Sequence, residues 1–113
     1  MEKINIMLLV LSSFSAAAGQ LLLKIGAQGR HQLAEFINLP IIVGLLLYGA
    51  GTAIWIFVLG KEKLINVYAF TALSFALVSA SSVLFLGERV ALGGLFGIML
   101  VLAGLYLITN YNH

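Results

Sequence analysis

Four long apolar stretches dominate the chain, separated by three polar intervals. They run over residues 4–25, 39–59, 64–86 and 90–109. Each is close to the ~20 residues that a helix needs to cross the apolar core of a bilayer. The pattern therefore predicts an all-α membrane protein, a single transmembrane domain over residues 1–113 with four transmembrane helices. Pro40 falls in the opening turn of the second helix, where its missing N–H costs nothing. Gly26, Gly60 and Gly87 follow the first three stretches, at positions where a helix C-terminus favours a residue with positive φ. Only the first interval is long. Within it Leu33, Phe36 and Ile37 fall at helical spacing among the polar Arg30, His31, Gln32 and Glu35. That segment reads either as a short amphipathic helix on the membrane surface or as a solvated loop. No sequence repeat relates the two halves.

The few polar residues inside the stretches are the next source of information, because a polar group in lipid normally faces a cavity or a neighbouring helix. On the first helix Ser13, Gln20 and Lys24 fall within about 40° of one another, flanked by Ala16 and Ala17. Lys24 either presents its ammonium to an anionic group or extends to lipid headgroups from one turn inside the helix end. Gln20 lies deeper, so its amide needs partners within the bundle. On the second helix Gly44, Tyr48, Gly51 and Trp55 share a face of roughly 60°. Its glycines leave room for a ligand or for a closely approaching helix, and its aromatic residues form walls; Trp55 also suits an interfacial aromatic belt. On the third helix Tyr68, Thr71, Phe75, Ser79 and Ser82 share a face, either as a cavity lining or as donors between helices. The fourth helix lacks strongly polar side chains in its interior and carries Gly93, Gly97 and Gly104 within about 40°, a stripe suited to close helix pairing. It is the element expected to dimerise, the alternative being packing within its own bundle.

Composition sharpens the class. Of 113 residues, 62% are hydrophobic and 9% charged, too few charges to coat a soluble domain. A net charge of +2, spread along the chain, gives no basic surface for nucleic acid. There is no cysteine, which excludes disulfides and thiolate metal sites. There is no aspartate either, and no carboxylate pair shares a buried helix face. His31 and His113 stand in a loop and at the terminus, without ligand partners at workable spacing. An enzyme is not expected, nor a metal or organic cofactor. Ser15-Ala16-Ala17-Ala18 has the small-residue character of a signal cleavage site, but the apolar run continues to Ile25, so the first stretch is expected to remain as a span. With four spans, Lys3, Lys61 and Lys63 lie on one side, and Arg30, Arg89 and the near-terminal Lys24 on the other. This balance gives almost no positive-inside preference. Either the chain inserts both ways and forms an antiparallel dimer, or one orientation is fixed by its amino terminus or by a partner subunit.

Several short motifs, weak singly, stand in a specific order: Ala18-Gly19-Gln20-x-x-x-Lys24, Val67-Tyr68-Ala69, Leu86-Gly87-Glu88-Arg89 and Gly97-x-x-Leu100-x-x-Ala103-Gly104. Together they resemble the drug/metabolite transporter superfamily at the four-helix scale of the small multidrug resistance proteins, over nearly the whole chain. Two departures separate it from the multidrug exporters of that branch. Their membrane-embedded glutamate, eight residues before the lysine, is replaced by Ala16, and their third-helix tryptophan by Thr71. The nearer likeness is to the small subunits of the flippase for 4-amino-4-deoxy-L-arabinose-phosphoundecaprenol, carried by the Gly-Gln-x-x-x-Lys segment, the spacing from Tyr68 to Glu88, and the fourth helix.

That resemblance implies a transporter of the bacterial inner membrane, moving a polyprenyl-phosphate-linked sugar or a similar anionic lipid between leaflets. Substrate-binding residues are expected among Lys24, Gln20, Ser13, Tyr68, Thr71, Tyr48 and Trp55, with Lys24 attracting a phosphate and Gln20 and Tyr68 hydrogen-bonding it. Gly44 and Gly51 would permit helix movement. Because four helices enclose no wide polar passage, a small multidrug resistance-like bundle is expected to function as a dimer, an antiparallel homodimer or a heterodimer with a related small membrane protein. An exporter of small solutes or drugs, and a non-transporting accessory subunit, remain as alternatives.

Overall fold

The computed structural model describes residues 2–111; His113 lies outside them. The first span is α1, Lys3–Ala27, and the second is α2, Leu39–Leu59. The third is divided into α3, Leu64–Ala69, and α4, Thr71–Phe85. The fourth is α5, Leu92–Tyr111. Taking α3 and α4 as one span, the described residues form four helices long and apolar enough to cross a membrane. Observed limits differ from the expected 4–25, 64–86 and 90–109 by one or two residues, as helix ends do. The 26–38 interval contains one 3-10 turn, Leu33–Phe36, in place of an amphipathic helix. Leu33 and Ile37 project outward from it.

α1 is the hub, packing along most of α2 and against α4, while α5 lies against α3 and α4. The α1–α2 seam explains the placement of small residues. An added Cβ on Gly19 would stand 2.8 Å from the Gly44 carbonyl oxygen and 2.9 Å from the Tyr48 amide nitrogen. One on Gly44 would stand 2.9 Å from the Gly19 oxygen, and one on Gly51 2.9 Å from the Ser12 oxygen. Lipid tails are as apolar as leucine, so helices in a bilayer associate through close backbone approach and interhelical hydrogen bonds. Both are present here: Ser12 Oγ donates to the Gly51 carbonyl at 2.7 Å and Ser15 Oγ to the Leu47 carbonyl at 2.7 Å. Gly44 and Gly51 thus admit a helix, leaving no space for a ligand beside them.

Of the three glycines expected at positive φ, Gly87 has it (φ 70°), and Gly29 has it within the first loop (φ 78°). Gly26 is instead a packing glycine: its missing Cβ would meet Ile41 Cγ1 at 2.6 Å. Gly60 ends α2 in ordinary right-handed backbone. Asn38 closes the first loop by serving two helices. Its Oδ1 accepts from the Ile41 amide to cap α2, and its Nδ2 donates to the Gly26 carbonyl near the end of α1.

The third span breaks at Phe70 without proline or glycine. The Phe70 amide donates to the Val67 carbonyl and the Leu73 amide to the Phe70 carbonyl, both three residues back. Thr71 Oγ1 donates to the Tyr68 carbonyl at 2.8 Å. Hydroxyls that compete for main-chain acceptors tighten and bend a helix in this way. The buried core lies at this level, where Leu9, Val58, Val67 and Phe70 meet, with Trp55, Leu73 and Leu105 packed around them. It sits near one end of the bundle, at the start of α1 and of the third span.

Candidate functional site

At the far end, a cleft of about 270 Å³ opens between α1 and α4. Gln20 and Lys24 line it from α1, one turn apart on the same face. Ser81 and Ser82 line it from α4, and Glu88 from the loop that follows. α1 and α4 run in the same direction, which brings the C-terminal turn of one beside that of the other. Gly87 then turns the chain back, so that the Glu88 amide reaches the Ser82 carbonyl at 3.2 Å. The positive φ of Gly87 is the local requirement that sets Glu88 at the cleft, since a side chain there costs about 1–2 kcal/mol. Both serine hydroxyls donate to main-chain carbonyls of their own helix, Ser81 to Leu77 at 2.9 Å and Ser82 to Ser79 at 2.8 Å. Their oxygens keep lone pairs as acceptors. Among the described residues the Lys24 ammonium and the Glu88 carboxylate share the cleft without an ion pair between them or with a third group. The space therefore offers one cation, one anion, an amide and two hydroxyls at the end of an apolar bundle.

The other expected site residues lie elsewhere. Ser13 is buried at the core level, where its hydroxyl donates to the Leu9 carbonyl at 2.9 Å and to the Phe70 carbonyl at 3.4 Å. Trp55 packs against the core cluster. Tyr48 sets its backbone against Gly19 and leaves its side chain about 40% exposed. Tyr68 is 61% exposed, and Thr71 is occupied with the Tyr68 carbonyl. The third-span stripe does not face one space. Ser82 lines the cleft toward α1, whereas Ser79 lines a second groove toward α5. Ser81 and Glu88 were not expected as cleft residues. The turn signal at Gly87 was visible, but the pairing of two C-terminal ends in the same direction is a tertiary fact. Gly93, Gly97 and Gly104 face open space, with no atom within 4 Å of an added Cβ.

Compared with protein-family models, with curated proteins and with solved structures, the chain matches none.

Proposed function

We propose that this chain is one subunit of a dimeric membrane transporter that moves an anionic lipid headgroup, such as a polyprenyl-phosphate-linked sugar, between leaflets of a bacterial inner membrane. The observation that carries this reading is the cleft where Gln20 and Lys24 meet Ser81, Ser82 and Glu88. A phosphate suits it. The Lys24 ammonium supplies charge-assisted hydrogen bonds, which are stronger than neutral ones. The Gln20 amide supplies further donors. A cleft at the helix ends holds a headgroup where a lipid normally carries it, and a dimer, a small multidrug resistance-like bundle of eight helices, provides two halves that rock around such a site.

The test is headgroup transfer in vesicles reconstituted with the purified protein. Loss of a charge-assisted hydrogen bond weakens binding by about tenfold to a hundredfold, so Lys24→Ala is expected to reduce transfer by that order and Gln20→Ala by less. Lys24→Arg should retain most of it. Unchanged transfer in both alanine variants would refute the assignment.

Glu88 favours a second reading. It places a carboxylate in the same cleft, where an exporter of cationic solutes would hold its cargo. Resistance to quaternary ammonium compounds that depends on Glu88 and not on Lys24 would establish that reading over the first.

A further inference from the structure

α4 is a wall between two spaces. Val78, Ser81 and Ser82 face the cleft; Ala76, Ala80 and Val83 face a groove of about 700 Å³ that α4 forms with Leu95 and Ile98 of α5. That volume lies in the range of pockets that bury a small ligand. Glu88, just past the end of α4, lines both spaces. Arg89 stands at the groove's mouth beside it. From Ala76 to Leu84 the groove follows about 12 Å of helix from the bundle end toward its middle.

We propose that this groove holds the hydrocarbon tail of the same amphiphile whose anionic headgroup occupies the Lys24 cleft, an inference that rests on the headgroup reading above. The two spaces adjoin at Glu88, on either side of the end of α4. The polar one is at the helix end and the apolar one runs inward, the order in which an amphiphile lies in a leaflet. Lys24 on the cleft side and Arg89 on the groove side set two cations against the one carboxylate of Glu88, a net positive charge for a phosphate held on the Lys24 side. The groove is also separate from the surface expected to pair with a second copy. On α5, Leu95 and Ile98 point roughly opposite to Gly93, Gly97 and Gly104 at 100° per residue, so a helix docked on the glycines leaves the groove open.

The absence of cysteine makes single-site labelling direct. The full chain, in dodecyl maltoside micelles, carries bimane at Ala80→Cys in the groove or at Leu46→Cys on the exposed side of α2, and is titrated with dodecyl phosphate brominated at the tail end. Saturable quenching is expected at Ala80 and not at Leu46, and Lys24→Ala should remove it. Tail-brominated dodecyl maltoside, without the anionic headgroup, should give no saturable quenching at Ala80. In an unlabelled series, Ala80→Trp should weaken dodecyl phosphate binding by about tenfold or more, the effect of displacing a few methylenes, and leave butyl phosphate binding unchanged. Ala80→Leu gives a smaller filling should the tryptophan variant not fold. Equal quenching at both positions, quenching by the neutral amphiphile at Ala80, or cross-linking of Ala80→Cys to its counterpart in a second copy would overturn the tail assignment. Butyl phosphate binding separates the two levels. If Lys24→Ala abolishes it while the groove results fail, the headgroup reading stands and the groove inference falls. If Lys24→Ala leaves it unchanged, the headgroup reading itself falls.

Discussion

At the scale of single residues, glycine has two distinct uses in this chain. Gly19, Gly44 and Gly51 are sites of backbone contact, whereas Gly49 has no atom within 4 Å of an added Cβ. Gly19→Ala drives a methyl into the Gly44 carbonyl, a rigid backbone atom, and overpacking of this kind costs about 1–3 kcal/mol. Gly49→Ala meets nothing and should be neutral or slightly stabilising, since alanine favours a helix by up to about 1 kcal/mol over glycine. Reversible unfolding in mixed micelles measures both; equal stabilities would remove the close seam as the reason for Gly19. The serine bonds across the same seam are smaller contributors. An interhelical hydrogen bond in a bilayer averages about 0.6 kcal/mol, so packing of the glycines is the larger determinant of how α1 and α2 meet.

Among the elements, the break between α3 and α4 is the one with mechanical consequence. Hydroxyls donate to the carbonyls at this break, Thr71 to the Tyr68 carbonyl and Ser13 of α1 to the Phe70 carbonyl. A stretch of three-residue hydrogen bonds inside a longer helix often marks a hinge. Thr71→Val keeps the shape of the side chain and removes its competing donor. It should let the span straighten, and main-chain amides from Phe70 to Leu73 should exchange more slowly with solvent. Unchanged exchange would show that something other than the hydroxyl bends the helix. The core cluster includes Phe70 and Val67 at this break, and α4 continues from it to Ser81 and Ser82 at the cleft.

On the scale of the whole molecule, the distribution of packing is uneven. α1 contributes buried residues along its length, and α5 contributes none among those described. A helix with a glycine face in open space is suited to a second copy, the reading proposed for the dimer. Gly97→Leu should then shift the protein from dimer to monomer in native mass spectrometry, with little change in the unfolding of the monomer, whose own helices do not touch Gly97. A persistent dimer would place the interface elsewhere. The near-balance of Lys3, Lys61 and Lys63 against Lys24, Arg30 and Arg89 bears on how such a dimer forms. If the two copies are antiparallel, a single cysteine at Gln28 should react with impermeant reagents from both sides of the membrane. Labelling from one side only would indicate a parallel pair or a partner of different sequence.

The sequence by itself determined the four spans, their helical state and the neighbourhood of Gln20 and Lys24. Those features follow from local rules: every backbone group in a bilayer must be satisfied within its own helix, and residues four apart share a helix face. The left-handed turn at Gly87 was legible for the same reason, since a residue without a Cβ was needed there. Other features had no local signature. Gly26 and Gly60 look like Gly87 in sequence, yet Gly26 is fixed by contact with Ile41 across the α1–α2 seam. The Phe70 carbonyl at the bend accepts a hydrogen bond from Ser13, 57 residues away. Ser81 and Glu88 joined the cleft only because α4 lies beside α1 in the same direction, and Tyr68 and Trp55 fell outside it because the core formed at the other end. Helix periodicity specifies which residues share a face; only the packing of one helix on another decides what that face meets.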